Sequence, residues 1–340
     1  MRASSGVYAI RRAGLLALLG LLIAVGVYAS SSLGRDRSTP VHTSRALSNH
    51  RTAYGPSTRA VAHSGAPTPT ARPAAPPPPR LLVNAPTHLG SDWSVVAAVH
   101  GQPAAWAAER RGASLMRFDQ TLVHLNLHAG SSDGGVSGWR YGDRVSAREV
   151  HSLVAGFNGG FKLTYRDVGF LAGHHVAVPL KSGLASIVTY TDGTSDIGAW
   201  RADVPSAGHS VYSVLQNQHL LVDRGRAAAG ASSCGQACWG ETLGSVTSTA
   251  RSGLGVTASG QLVWAAGEHL SPAGLADALI AAGALRAIEL DINPYWVAGY
   301  LYPHHPSGPV AVGVLPGQHG IAGELLEANA RDFLTIVANS

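Results

Sequence analysis

Two cysteines are all that this 340-residue chain holds, Cys234 and Cys238. A structural zinc site would need two further soft ligands beside them, and the sequence places none nearby. A redox pair usually has two intervening residues, whereas Cys234-Gly235-Gln236-Ala237-Cys238 has three. Outside the cytoplasm such a pair reads as a local disulfide that staples a small loop. Other signatures are also missing. There is no Ser-His-Asp order, no nucleophile elbow and no phosphate-binding P-loop. No internal repeat is visible.

Charge is scarce and unevenly placed. Charged residues make up 13% of the chain, with a formal net charge of +5. Ten of the 25 Lys and Arg lie in the first eighty residues, beside one acid, Asp36. The remainder carries 15 bases against 19 acids, a net charge of −4. A nucleic-acid partner needs a clustered basic face, so that class is excluded for the folded part. The basic tail reads as a solvated linker, or as a contact with anionic lipid or wall polymer.

The N-terminus is a targeting segment. Arg2, Arg11 and Arg12 precede an uncharged run from Ala13 to Leu33. Its most apolar part, Leu15 to Val27, suits a signal sequence cut after Ala29. About twenty uncharged residues also suffice to span a bilayer, and we read 1–33 as a signal peptide or a single membrane anchor. The arginines ahead of the run place the rest of the chain outside the cytoplasm, membrane-tethered or secreted. Residues 34–80 are rich in Pro, Ser, Thr, Ala and Arg and have little to bury, so they read as a disordered linker. As a coil they would hold a domain roughly 40 Å from the membrane.

Residues 81–340 suffice for one large core. Short strands with Gly-containing turns dominate. Leu122 to His128 alternates apolar and polar. Ala185 to Tyr190 and Ser195 to Trp200 flank a hairpin turn, Thr191-Asp192-Gly193-Thr194. Leu254 to Thr257 and Gln261 to Ala265 flank another at Ala258-Ser259-Gly260. Gln218 to Asp223, Arg286 to Ile292, Val310 to Leu315 and Phe333 to Val337 read as further strands. A helix is expected from Ser271 to Ala282, with Ser271 as cap, Pro272 at its first position and Gly283 after its end. A second, shorter one is expected over Ser146 to Leu153. The fold class read from this order is α+β, a mixed or antiparallel sheet core with a few packed helices.

Three segments could carry chemistry. Asn158-Gly159-Gly160-Phe161 follows an apolar strand and forms a sharp turn where backbone and amide approach a ligand. Arg251 precedes Gly253 and Gly255, and a guanidinium fork matches phosphodiester oxygens. Glu289, Asp291 and Asn293 alternate along a strand and so share a face, with Ile288, Leu290 and Ile292 turned to the core. Such a face suits acid–base chemistry or cation binding. Taken singly, each segment also fits an ordinary turn, a surface arginine or a solvated strand side.

Together, Gly156-Phe157-Asn158-Gly159-Gly160-Phe161, Arg251-Ser252-Gly253-Leu254-Gly255, Leu290-Asp291 and the closing Arg331-Asp332-Phe333 resemble the phosphodiester glycosidase family. The resemblance covers roughly 150–336. It implies hydrolysis of a sugar-phosphodiester linkage in an envelope glycan or glycoconjugate. It implies that Arg251 holds phosphate and that Asn158, Gly159 and Gly160 position the sugar. Asp291, with Glu289, would be the catalytic acid or base. Lys162, Asn293 and Trp296 are added as substrate contacts. No cofactor is implied beyond an optional divalent cation. The partner would be a carbohydrate or sugar-phosphate polymer. The chain departs from the family's Gly-Gly-x-Ser at Ile292-Asn293-Pro294-Tyr295-Trp296. That segment either supplies an aromatic platform for a sugar or fills the pocket of a non-catalytic, surface-tethered carbohydrate-binding or envelope-structural protein.

Overall fold

The computed structural model describes residues 79–132, 139–320 and 325–340. The N-terminal apolar run and most of the linker lie outside the described residues. Among the described residues no helix is long and apolar enough to cross a membrane.

Three antiparallel sheets account for most of the domain. The largest has nine strands and runs Leu81–Val83, Ser94–Val99, Gln102–Arg110, Ala113–Phe118, Leu262–Leu270, Thr249–Thr257, Ala284–Glu289, Leu220–Asp223, Arg226–Ala227. A five-stranded sheet runs Ser195–Ala199, Ala185–Tyr190, Val211–Asn217, Val168–Ala172, His175–Val178. A second five-stranded sheet runs Val312–Gly313, Gly299–Leu301, Leu153–Asn158, Phe333–Ala338, Val123–His128. Both hairpins expected from the sequence pair as expected, Ser195 opposite Thr189 and Gly255 opposite Val263.

The α+β expectation is corrected by this architecture: the molecule is a β-rich sandwich. Among the described residues only Gln236–Trp239 and Pro272–Ala281 are α-helices. The longer one forms where its caps predict, with Ser271 Oγ accepting from Gly274 N at 3.0 Å. It covers one face of the nine-stranded sheet through Leu275 and Leu279, each contributing about 1.5–3 kcal/mol of burial. Ser146 to Leu153 is not an α-helix. Ser146 Oγ does accept from Glu149 N, but only Val150–Ser152 makes a single 3-10 turn. Glu149 turns its carboxylate inward to His128, Asn126 and Thr335, and Leu153 already has extended dihedrals.

Other bounds shift as well. The strand expected over Arg286 to Ile292 ends at Glu289, and the one over Val310 to Leu315 shrinks to Val312–Gly313. The main core draws aromatics from all three sheets. Phe157 sits 6.4 Å from Phe118 and 5.7 Å from Trp264, ring centre to ring centre, with Phe170 in the same cluster. Gly299 must lack a side chain, because a Cβ there would overlap the Trp264 indole.

Candidate functional site

The strand Leu153–Asn158 delivers Asn158 into the interior, where it is 3% exposed. Its amide is fixed on both sides. Nδ2 donates to Ser252 Oγ and to Gly159 O, each at 2.9 Å, while Oδ1 accepts from Ala298 N at 3.2 Å. Asn158 therefore ties the Asn-Gly-Gly turn to the Arg251 strand and to the segment that follows Trp296. Gly159 N and Gly160 N both point at Asp332, to its carbonyl at 3.1 Å and its Oδ2 at 2.8 Å.

Asp291 enters from the end of the strand Ala284–Glu289. Its backbone N–H donates to Gly159 O, so the second motif is bolted to the first. Oδ1 accepts from Ile292 N at 2.7 Å and Asn293 N at 2.8 Å, and Oδ2 accepts from Arg331 at 2.9 Å. The same Arg331 nitrogen donates to Gly160 O. Pro294, Tyr295 and Trp296 form a tight turn, in which Asn293 O accepts from Trp296 N and Val297 N. That turn brings the Trp296 ring to 5.5 Å from the Arg331 guanidinium, a cation–π contact.

These groups enclose a cavity of about 10 Å³, room for roughly one water. Asn158, Gly159, Gly160, Asp291 and Trp296, all named from the sequence, line it. Asn329, Arg331 and Asp332 complete it. In the sequence Arg331-Asp332 stands out only through the family resemblance, which assigns neither residue a role. The signal was present: two adjacent opposite charges directly ahead of a wholly buried apolar strand.

The other named residues lie elsewhere. Arg251 and Glu289 form a second, deeper pair, 2.7 Å apart and 2% and 0% exposed. Arg251 is held on every side. Its Nε donates to Leu270 O, and its terminal nitrogens donate to Trp239 O, Thr247 O and Glu289. Trp239 directly follows the loop closed by the Cys234–Cys238 disulfide, which is present. Lys162 is exposed and lines no part of the cavity. Asn293 does not line it either. Its Oδ1 caps the next turn, accepting from Tyr295 N. Among the described residues no three His, Cys, Asp or Glu side chains converge as a metal site.

Burial raises the pKa of both acids. Desolvation, helped by the neighbouring Asp291 charge and opposed by the Arg251 charge and hydrogen bond, leaves the Glu289 carboxyl raised to about 7. Desolvation also raises Asp291, against the pull of Arg331 and two backbone N–H groups. The folded protein thus holds protons that the unfolded chain has already released. Stability from Glu289 is therefore full below the unfolded value of 4.5 and is lost as pH rises through about 7. Glu289→Gln removes this dependence. Its stability relative to the parent chain should climb between these pH values in denaturant titrations, and a flat difference would contradict the assignment.

No protein-family model matches the sequence, and no curated protein matches it. Solved structures do. The catalytic domain of zebrafish N-acetylglucosamine-1-phosphodiester alpha-N-acetylglucosaminidase, auto-inhibited by its pro-peptide, aligns at 11% identity and a TM-score of 0.44. That alignment covers 77% of this chain and 88% of the zebrafish one. A hypothetical protein from Synechocystis aligns at 12% identity and a TM-score of 0.37, over 70% of this chain and 63% of its own. The likeness is one of fold at most. It says nothing about which residues act, and the site stands on its own geometry.

Proposed function

We propose that this domain hydrolyses a sugar-phosphodiester linkage in an envelope glycan or glycoconjugate, outside the cytoplasm. One observation carries the reading. Segments up to 174 positions apart, Asn158-Gly159-Gly160, Asp291, Trp296 and Arg331-Asp332, meet around a single buried cavity. Glycosidic cleavage uses two carboxyl groups, one to protonate the leaving oxygen and one to act as base or nucleophile. Asp291 and Asp332 are the two acids of this cavity. The raised pKa of Asp291 suits a proton donor. Arg331 supplies the positive charge for a phosphate, and Trp296 the aromatic face for a sugar. Glu289 and Arg251 brace this site from behind. The arginines ahead of the N-terminal apolar run support the extracytoplasmic placement.

A second reading has its own support: a tethered carbohydrate-binding protein without turnover. A cavity of about 10 Å³ admits no sugar ring, so catalysis requires the Trp296 turn to swing aside. The test is release of free sugar from a UDP-sugar and from a methyl-phospho-sugar by the full chain, with and without magnesium. Activity should fall at least tenfold in Asp291→Asn and in Asp332→Asn. Glycan binding without release would install the second reading. Release untouched by both variants would remove the assigned roles.

A further inference from the structure

A different cavity, at the opposite end of the strands that carry Arg251 and Glu289, is large enough for a sugar. It measures about 620 Å³, within the range of small-molecule sites. Thr257, in its wall, lies five residues along its strand from Ser252, roughly 17 Å away. The cavity is therefore separate from the one at Asp291.

Its rim is pre-built. Three turns converge there, and the Gln120 side chain locks them together. Gln120 Oε1 accepts from Ser195 N at 2.7 Å, while Nε2 donates to Ser195 O at 2.9 Å and to Gly260 O at 2.6 Å. A rim fixed in advance lowers the ordering cost of binding.

The charges of the wall are unequally committed. Asp119 is used locally, accepting from the backbone and hydroxyl of Thr121. Asp196 is used in the same way, by Ile197 N and Ser206 Oγ. The bases are less engaged. Arg286 reaches Asp203 only at 3.7 Å. Arg224 is exposed and has no ion pair among the described residues. The formal charges of the wall balance, two aspartates against two arginines, and it is the guanidinium donors of Arg224 and Arg286 that stay available to a ligand. Threonine and serine hydroxyls whose protons are already donated, Thr121, Thr194 and Ser206, turn their oxygens into acceptors for a ligand's hydroxyl groups. Val256 and the 43%-exposed Leu285 give an apolar patch for the face of a ring.

We infer that this cleft binds a polyhydroxylated anion of one or two rings, a sugar phosphate in chemical class, with Arg224 and Arg286 on the anionic group. Calorimetric titration of the full chain tests it, with glucose 1-phosphate, glucose and inorganic phosphate as probes. Glucose 1-phosphate should bind at least tenfold more tightly than either fragment. Arg224→Glu, at an exposed position, and Leu285→Trp, which fills the cleft, should each weaken that binding at least tenfold. Asp291→Asn should bind as the parent does, which keeps this inference apart from the hydrolytic one. A phosphomannan polymer in a parallel titration separates a free sugar ester from a polymer-borne one by which binds more tightly. No binding of glucose 1-phosphate, equal binding of inorganic phosphate, or unchanged binding in Arg224→Glu overturns the assignment.

Discussion

Glu289→Leu should cost about 3–5 kcal/mol of stability, the usual effect of stripping one partner from a buried ion pair. The two partners are not equivalent. Glu289, with its pKa near 7, can go neutral by taking a proton. Arg251 cannot shed its charge and is 2% exposed. Removing the acid therefore leaves a permanent buried cation, whereas Arg251→Met leaves an acid able to neutralise itself. The expected order of damage is Glu289→Leu, then Arg251→Met. Arg251→Met together with Glu289→Leu should recover much of the loss, because no charge then remains. Thermal melts read this directly, with a drop of ~10 °C for Glu289→Leu. The same series tests the phosphate role that the sequence suggested for Arg251. A raised KM with unchanged melting in Arg251→Met would restore that role. A lowered melting point with unchanged KM is the outcome expected from the hydrogen bonds of Arg251 to three carbonyls and Glu289.

The second large effect is at Gly159. A Cβ there would fall on the Asp332 carboxylate and lie 2.6 Å from the Asp332 carbonyl oxygen. The carboxylate could rotate away, but only by abandoning Gly160 N. The carbonyl belongs to the backbone ahead of a buried strand and cannot move cheaply. Overpacking of this kind costs about 1–3 kcal/mol in stability. The larger loss is functional, since the cavity and the placement of Asp332 go together. Gly159→Ala should reduce sugar release by at least a hundredfold, about 2.7 kcal/mol of barrier. Gly160→Ala, at the neighbouring wall position, should do less damage. Its Cβ would meet Leu215 at 3.4 Å, a contact a side chain can relieve. Parental sugar release by a folded Gly159→Ala would show that the cavity is not where chemistry occurs.

Much of this was legible in the chain. Asn158-Gly159-Gly160 and Asp291 could be singled out because strand ends and glycines announce themselves locally. The two hairpins and the Ser271-capped helix were legible for the same reason. Arg251 was legible as an unusual residue but not as a buried one. Its burial follows from Leu270, Trp239 and Thr247 surrounding it, and no local pattern encodes those neighbours. The alternation of Glu289, Asp291 and Asn293 misled in one respect. The strand stops at Glu289, so Asp291 owes its place to Gly159 and Arg331 rather than to the pleat. Ser146 to Leu153 opened with a capping serine, yet Glu149 is drawn inward by His128 and Thr335, the latter 186 residues away in sequence. The fold class failed for the same reason: the helix signals were strong where they occurred, but pairing across the sheets accounts for most of the chain.

The strand Phe333–Ala338 lies between Val123–His128 and Leu153–Asn158, pairing with both. A ribosome makes those two neighbours well over a hundred residues before it makes the strand that joins them. Until then each presents an open edge, available to another chain. The residues just ahead of the late strand, Arg331 and Asp332, are also the last members of the cavity to be made. A nascent chain can therefore have its Asn-Gly-Gly turn and its Asp291 in hand and still lack a site. Any activity of this domain switches on only with the closing of its last sheet, and pairings of such long sequence separation form slowly.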